Sequence, residues 1–350
     1  MGHGAASLDS VAAIAAFIAA AAISVAIIIA IRPWLQRIAL AKPNARSSHT
    51  VPTPQGGGIA VIAATMIAAA GALSLSKAAS APAPLLPLLA AVIVIAIVGA
   101  ADDIRPIGVA PRFSLQAFSV ALVIFALPDD LRIAPFMPVL IERLLLTVGG
   151  LWFVNLVNFM DGLDWMTVAE VVPITAALAI IGAFGHLPST AAIVSLALCG
   201  AMIGFAYFNR PVAKLFLGDV GSLPIGLLLG WLLVQLAGRG ALAAAILLPL
   251  YYLADATITL LRRLIAGEKV WQAHRSHFYQ RATDRGFTVR QVVAHVFAVN
   301  VALAALAFVT LAAPGRVNEA AALACGAALV GWLLLAFARG RGAKAPRVGS

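Results

Sequence analysis

Apolar runs of transmembrane length recur along the whole chain, and they limit its possible folds more than any other feature. An α-helix needs about 20 apolar residues to cross the hydrocarbon core of a bilayer. Of the 350 residues, 62% are hydrophobic and only 11% are charged, whereas soluble domains carry about 25% charged residues. The sequence therefore predicts a single all-α, polytopic membrane domain over residues 1–350, with no separate soluble domain.

Eleven of these runs are candidate transmembrane helices. The first is too long for the core of a cleavable signal peptide and lacks a basic start, so we expect it to be retained. The eleven runs lie near 10–31, 57–76, 84–101, 112–127, 140–158, 167–184, 189–207, 220–237, 241–261, 291–313 and 319–338.

The basic residues are distributed unevenly between the two predicted sides of the membrane. If the N-terminus lies outside, 19 of the 24 lysine and arginine residues fall in inner segments. Basic loops favour the cytoplasmic side, so we expect a periplasmic N-terminus and a cytoplasmic C-terminus. Attraction to anionic lipids and substrates explains the net charge of +10 without nucleic acid as a partner. The inner segments are 32–56, 102–112, 158–166, 208–219, 262–290 and the tail from 339.

Several acidic residues lie at the predicted inner ends of helices or within an apolar run. Carboxylates near hydrocarbon are costly and often functional. Each aspartate taken singly also suits a helix cap, but the recurrence of aspartates on one side favours a shared site. Mg²⁺ commonly takes one or two carboxylates together with substrate phosphates, so we expect a magnesium site there. The aspartates concerned are Asp102, Asp103, Asp161, Asp164, Asp219 and Asp255.

The first inner loop combines basic residues between Lys42 and His49 with three consecutive glycines, Gly56 to Gly58. Glycine allows backbone amides to approach an anion closely, and the N-terminus of a following helix favours negative charge. The loop is therefore a candidate phosphate contact. A flexible basic loop on the inner side would have the same composition.

Two further motifs place carboxylates at helix ends. In the pair Asp102 and Asp103, one carboxylate could hold a metal while the other accepts a proton or positions a nucleophile. Farther along, Asp219 lies between glycines at the start of the eighth run. Lys214 precedes it as a candidate phosphate contact, and Phe216 offers an aromatic face.

A polar stripe ends the fifth apolar run. Asn155, Asn158, Asp161 and Asp164 follow one another at intervals of three residues, a spacing that places side chains on one face of a helix. Four amides and acids in such a row are difficult to explain by packing.

The last long inner loop contains His274, Arg275 and His277. Zinc is disfavoured because no cysteine or third histidine is close. Arginine and histidine donate to phosphate oxygens, so a cationic site for a pyrophosphate or sugar is expected. A basic segment facing lipid headgroups is the alternative.

Together the motifs resemble the polyprenyl-phosphate N-acetylhexosamine-1-phosphate transferase family, glycosyltransferase family 4, and especially its WbpL-like branch. The resemblance implies transfer of a sugar-1-phosphate from a UDP-sugar to undecaprenyl or another polyprenyl phosphate, with release of UMP. It further implies Mg²⁺, with Mn²⁺ as a substitute, a bacterial inner-membrane location, a cytoplasmic active site, and the first step of a lipid-linked glycan such as O-antigen. A homodimer is compatible with it.

The resemblance also implies roles for individual residues. Asp219 and Asp103 match metal-binding positions, and Asp102, Asp103 and Asp161 match catalytic ones. Two departures stand out: Trp165 replaces the second glycine of the family's Asp-Gly-x-Asp-Gly run, and His-Arg-Ser-His lacks a three-histidine cluster. Contacts to the nucleotide sugar are implied for Asn158, Asp164, Asn209, Lys214, Phe216, His274, Arg275 and His277.

Other functions remain as alternatives. A phospho-muramyl-pentapeptide transferase would be of the same family, although the His-Arg-Ser-His motif argues against it. A secondary transporter would suit the intramembrane Asp255, but no internal repeat is evident. A membrane scaffold would not need paired carboxylates, and CDP-alcohol phosphotransferases need a denser acidic motif.

Overall fold

The computed structural model describes residues 10–41, 52–76, 85–269 and 274–341. Most of these residues are helical. Within these ranges the helices are α1 (Ser10–Ile38), α2 (Gly58–Leu75), α3 (Leu86–Ile104), α4 (Val109–Phe125), α5 (Val139–Phe159), α6 (Met166–Ala183), α7 (Ser189–Ala206), α8 (Asp219–Ala237), α9 (Leu242–Leu247), α10 (Leu250–Ile265), α11 (Phe278–Asp284), α12 (Val289–Ala312) and α13 (Arg316–Arg339).

Nine of the helices in the described residues are long and apolar enough to cross a membrane. They are α1 to α3, α5 to α8, α12 and α13, and α4 is a shorter apolar helix. The predicted all-α polytopic membrane protein is thereby confirmed. Which side of the membrane faces the cytoplasm stays a prediction.

The ninth predicted span, 241–261, is wrong as a single helix. The structure has two helices there, α9 and α10, which meet at Leu248 and Pro249. Proline has no amide hydrogen to donate, and its ring clashes with the preceding turn, so it interrupts a helix. The second helix then continues past the predicted end and carries Arg262 and Arg263 in its last turn.

Helix α8 is the centre of the site-bearing part of the bundle. It packs against α2, α3 and α5, and α3 also packs against α4. Most of its side chains are buried, because neighbouring helices surround it. These contacts bring the end of α3, the end of α5 and the start of α8 together at one end of the bundle, which we call the acidic end after Asp102, Asp103, Asp161 and Asp219.

The chain before α2 forms a small strand pair and then joins the start of α8. Strand β1 (Leu40–Ala41) pairs antiparallel with β2 (Thr53–Pro54). Beyond β2, Gly57 donates its amide to the carbonyl of Phe216 at 2.9 Å, and Gly58 donates to that of Leu217 at 2.8 Å.

The expectation that these glycine amides bind an anion is therefore wrong for Gly57 and Gly58, because carbonyls of the chain already accept their hydrogens. A side chain at Gly58 would overlap the backbone of Gly221. The glycine is explained by this close approach of α2 to α8. The basic residues from Lys42 to His49 lie outside the described residues.

Candidate active site

Asp219 is the first residue of α8, and neighbouring helices hold both of its carboxylate oxygens. The Nδ2 of Asn158 on α5 donates to Asp219 Oδ1 at 2.7 Å and to Ser222 Oγ at 2.9 Å. On the other side, Arg112 NH1 on α4 lies 3.5 Å from Asp219 Oδ2. The carboxylate is thus held between an amide and a guanidinium.

Asp103 caps the N-terminus of α8 from a distant position in the chain. Its Oδ1 accepts the amide hydrogen of Asp219 at 2.9 Å, and its Oδ2 accepts that of Val220 at 3.0 Å. The first amides of a helix have no partner within the helix, and the positive end of the helix dipole favours an anion. A carboxylate oxygen has a second lone pair, so the metal contact expected of Asp103 stays a prediction.

Gly218 makes this cap possible. Its φ is +78°, a conformation that glycine adopts readily. A side chain here would also run into the carboxylate of Asp103. The Gly-Asp sequence at 218–219 therefore has a structural reason apart from any ligand.

Arg112 is a site residue that the sequence motifs did not identify. Its NH1 donates to Asp102 Oδ2 at 2.7 Å, while Asp102 Oδ1 accepts the amide of Ile107 at 2.6 Å. The guanidinium therefore bridges Asp102 and Asp219. The sequence does contain a signal for Arg112. It is the second basic residue after the aspartate pair, and it lies in a predicted inner segment.

The polar stripe is not one helix face throughout. Helix α5 ends at Phe159, so Asn155 and Asn158 lie on it, whereas Asp161 and Asp164 lie in the connection to α6. The Nδ2 of Asn155 donates to Gln116 Oε1 of α4 at 2.9 Å. Asn155 therefore contributes to helix packing, a role that the sequence argument had set aside.

Asp161 has a raised pKa because of its surroundings. Burial raises its pKa to about 8, the hydroxyl of Thr167 opposes this rise, and the carboxylates of Asp219, Asp103 and Asp164 add to it. Thr167 donates its hydroxyl hydrogen to Asp161 Oδ1. Without a cation nearby, a large fraction of Asp161 is therefore protonated at neutral pH.

The raised pKa of Asp161 predicts a pH-dependent gain in stability for the variant Asp161→Asn. Because the folded protein holds this proton up to a pKa of about 8, and an unfolded aspartate loses it near pH 4, the folded state loses stability as pH rises across that window. Asparagine removes this loss. In magnesium-free detergent solution, the variant's apparent Tm should exceed that of the unaltered protein increasingly from pH 5 to pH 8. A Tm difference that does not change with pH would contradict the assignment.

Asp164, Asn209 and Trp165 join two loops of the acidic end. Asp164 Oδ2 accepts the amide of Ala213 at 2.9 Å. Asn209 Oδ1 accepts the amide of Trp165 at 2.8 Å, and Asn209 Nδ2 donates to the carbonyl of Leu215 at 2.9 Å. The geometry therefore shows Asp164 and Asn209 bracing the loops, and their predicted nucleotide contacts stay predictions.

Trp165 keeps the backbone shape that a glycine would favour. Its φ is +64° and its ψ is 2°, the left-handed region that costs a non-glycine residue about 1–2 kcal/mol. Besides the bond to Asn209, its indole Nε1 donates to the carbonyl of Ala206 at 2.6 Å. At this position, where the family has glycine, Trp165 thus adopts a conformation that glycine reaches more easily.

The histidine loop packs as a stack of rings beside the end of α5. The ring centroids of His274 and His277 are 4.8 Å apart, and that of Phe159 is 6.5 Å from His277. Arg275 NH2 lies 3.2 Å from Asp284 Oδ1 on α11. This ion pair holds the side chain of Arg275 against α11.

A cavity of about 800 Å³ opens in front of Asp219. Its polar end is formed by Asp102, Arg112, Asn158, Asp219, His274 and His277, and its other walls include Val109, Phe113, Val148, Leu151, Trp152 and Leu260 from α4, α5 and α10. The structure thus brings five of the predicted residues to one cavity. The other predicted residues, Asp103, Asp161, Asp164, Asn209, Lys214, Phe216 and Arg275, are outside its lining.

The carboxylates suit a cation that the substrate helps to hold. In the part of the chain that the structure describes, no three histidine, cysteine or acidic side chains are grouped to bind a metal unaided. Asp102 and Asp219 nevertheless face the same cavity. One or two carboxylates plus substrate phosphates are what Mg²⁺ commonly takes, so these residues fit that ion.

Comparisons with known proteins find one family model and several named relatives. The model of Glycosyl transferase family 4 matches residues 85–237, which include α3 to α8. The chain is 24% identical to a protein of Bacillus subtilis (strain 168) named probable undecaprenyl-phosphate N-acetylglucosaminyl 1-phosphate transferase, over 79% of this chain and 80% of the relative. It is 28% identical to the decaprenyl-phosphate N-acetylglucosaminephosphotransferase of Mycobacterium leprae (strain TN), over 74% of this chain and 73% of the relative.

The fold and the site define a polytopic helical membrane protein with carboxylates and a guanidinium gathered at one end of its bundle. Residues 85–237 are similar to glycosyl transferase family 4, and the two named relatives support this family.

Proposed function

We propose that this protein transfers an N-acetylhexosamine-1-phosphate, or a 6-deoxy relative, from a UDP-sugar to a polyprenyl phosphate and releases UMP. One observation carries the proposal: a single cavity joins the charged groups of Asp102, Arg112 and Asp219 to apolar walls of α4, α5 and α10. A polyprenyl phosphate has the matching form, an anionic head on a long apolar chain. The names of the two relatives describe transferases that act on such lipids.

The charged end of the cavity suits phosphoryl transfer. This chemistry depends mainly on positioning and on stabilising charge around the transferred phosphorus. Asp219 and Asp102 would hold Mg²⁺, which when bound offsets the charge of the donor pyrophosphate. Arg112 donates to phosphate oxygens, for which a guanidinium is well suited. Asn158 keeps Asp219 in place through the 2.7 Å hydrogen bond to Oδ1.

The reaction then needs only one exchange of bonds at phosphorus. An oxygen of the lipid phosphate attacks the β-phosphorus of the UDP-sugar, and the bond from that phosphorus to the UMP oxygen breaks in line with the attack. Asp161 has a raised pKa of about 8, but it lies outside the lining of the cavity. The catalytic role of Asp161 therefore stays a prediction.

We also propose the cellular setting that the charge distribution favours. Inner segments rich in lysine and arginine support a cytoplasmic active site in the inner membrane. Undecaprenyl phosphate would be the acceptor, and the product would start a lipid-linked envelope glycan such as O-antigen. The His-Arg-Ser-His motif supports a hexosamine donor over a muramyl-pentapeptide donor.

Release of UMP tests the proposal directly. Purified protein in detergent would be incubated with undecaprenyl phosphate, Mg²⁺ and a panel of UDP-N-acetylhexosamines, with UDP-muramyl-pentapeptide included. We expect UMP from one hexosamine donor, a lipid product heavier by that sugar phosphate, loss of both with EDTA, and recovery with Mg²⁺ or Mn²⁺.

Two controls distinguish a transferase from a hydrolase and from a transporter. Omitting the lipid should abolish UMP release, because a transferase needs its acceptor. A hydrolase would continue to release UMP without the lipid. Uptake of a solute by vesicles without any UMP would instead support a transporter and overturn the proposal.

A further inference from the structure

Asp255 is a fully buried carboxylate in α10, and the reaction outlined above assigns it no role. Its exposed fraction is 0%. A carboxylate in an apolar interior is costly unless hydrogen bonds compensate it. Five donors surround it: the hydroxyls of Tyr251 at 3.2 Å and Thr259 at 3.3 Å, the amides of Phe278 at 3.0 Å and Tyr279 at 3.1 Å, and the Nδ1 of His277 at 3.3 Å.

Two of these contacts attach α11 to α10. The amides of Phe278 and Tyr279 open α11, and the carboxylate of Asp255 accepts both. His277 is the residue immediately before α11. The position of His277 beside the cavity is therefore determined by Asp255.

The same carboxylate orients the imidazole ring. A carboxylate ion can only accept a hydrogen bond, so the contact between His277 Nδ1 and Asp255 Oδ1 requires the hydrogen on Nδ1. The ring is fixed further by stacking on His274 at 4.8 Å and on Tyr279 at 5.7 Å. His277 also lines the cavity that contains Asp102 and Asp219. Its Nε2 is then the ring nitrogen left for a ligand.

We propose that Asp255 is a positioning residue that holds His277 in the Nδ1–H tautomer, so that Nε2 accepts a hydrogen bond from a hydroxyl or amide N–H of the donor sugar. In this tautomer Nε2 complements a donor hydrogen and does not complement phosphate oxygens, which are themselves acceptors. Arg112, which the proposed function assigns to the phosphates, lines the same cavity. The inference rests on the proposed function, since it names which part of the UDP-sugar His277 meets.

Nitrogen NMR tests the orientation without any need for turnover. The chain has six histidines, so protein labelled with ¹⁵N-histidine gives few ring signals, and the variant His277→Asn identifies the one in question. At pH 8, where an ordinary imidazole is neutral, we expect the unaltered protein to show His277 with its hydrogen on Nδ1. Asp255→Leu should move the hydrogen to Nε2, because it removes the acceptor that holds the hydrogen on Nδ1.

A hydrogen on Nε2 in the unaltered protein would overturn the proposal, and this result does not depend on whether Asp255→Leu folds. Retention of the Nδ1–H tautomer in a folded Asp255→Leu variant would overturn it as well. Thr259→Val is the matched control, since it removes another donor to Asp255 and leaves the imidazole contact in place. Its His277 tautomer should not change.

Kinetics test the contact with the sugar. His277→Asn keeps a donor toward Asp255 and deletes Nε2, so we expect KM for the UDP-sugar to rise about 10-fold, with kcat changed much less. Asp255→Leu should raise KM similarly, and the double variant should be no worse than either one, because both changes remove the same contact. Additive effects, or a fall in kcat alone, would show that Asp255 acts only by holding α11.

The two proposals fail in different ways. If the unaltered protein releases no UMP from any donor, the proposed function fails, while the NMR result still decides the role of Asp255. If UMP is released and the KM of His277→Asn equals that of the unaltered protein, the transferase assignment stands and the sugar contact is wrong.

Discussion

Replacing Asp219 with asparagine is expected to lower UMP release roughly 10³-fold, a loss of about 4 kcal/mol of transition-state stabilisation. The change is nearly isosteric, yet it removes the charge that Asp219 brings to the cavity beside Asp102. Asparagine can still receive the hydrogen bond that Asn158 donates to Oδ1. The loss should therefore arise from weaker cation binding, and it is measured as kcat/KM over a titration of Mg²⁺.

Asp129→Asn is the matched control for this variant. Asp129 is an exposed aspartate in the connection between α4 and α5, at the opposite end of these helices from the acidic end. The same chemical change there should leave kcat/KM within about twofold, as is usual for exposed positions. Near-normal turnover by Asp219→Asn at every Mg²⁺ concentration would show that the site has been misassigned.

The second large effect is expected from Asp103→Asn, through a different physical cause. The two oxygens of Asp103 accept the amides of Asp219 and Val220. Asparagine can accept only one of them, and its NH₂ group would face the other amide. An unsatisfied buried amide costs about 1–3 kcal/mol, and a displaced Asp219 costs about 10²-fold in rate if it moves by about 1 Å. We therefore expect both a lower apparent Tm and a fall of about 10²-fold in kcat.

A double variant separates positioning from direct participation. If Asp103 acts through Asp219, the pair Asp103→Asn with Asp219→Asn should turn over no more slowly than Asp219→Asn alone. A further 10²-fold loss in the double variant would instead indicate that Asp103 itself touches the cation or substrate. Measuring Tm alongside distinguishes the two residues, since only Asp103 caps α8.

The predicted spans show how far hydropathy alone describes this fold. Each of the eleven predicted runs overlaps helical residues, because a bilayer admits only segments that satisfy their own backbone hydrogen bonds. Hydropathy alone nevertheless predicts one unbroken span at 241–261, whereas the structure interrupts it at Leu248 and Pro249. This break determines where α10 begins, and α10 carries Asp255.

The sequence predicts the active site less completely than it predicts the membrane helices. Motif spacing indicated that Asp102, Asn158 and Asp219 belong together, and the structure places all three on one cavity. The same reasoning also grouped Asp164 and Asn209 with the nucleotide contacts, although their side chains brace loops at Ala213, Trp165 and Leu215. A motif preserves residue types, and it does not tell which of them face a ligand and which support the backbone.

The sequence by itself determined the membrane class, the helix spacing and the side of the bundle on which the carboxylates gather. These follow from hydropathy and chain connectivity, which are local along the chain. Only the tertiary structure decided that Arg112 bridges Asp102 and Asp219, that Asp103 caps α8, and that Asp255 holds His277. Those contacts join residues on different helices, and hydrogen bonds between helices depend on distances and angles that close packing alone establishes.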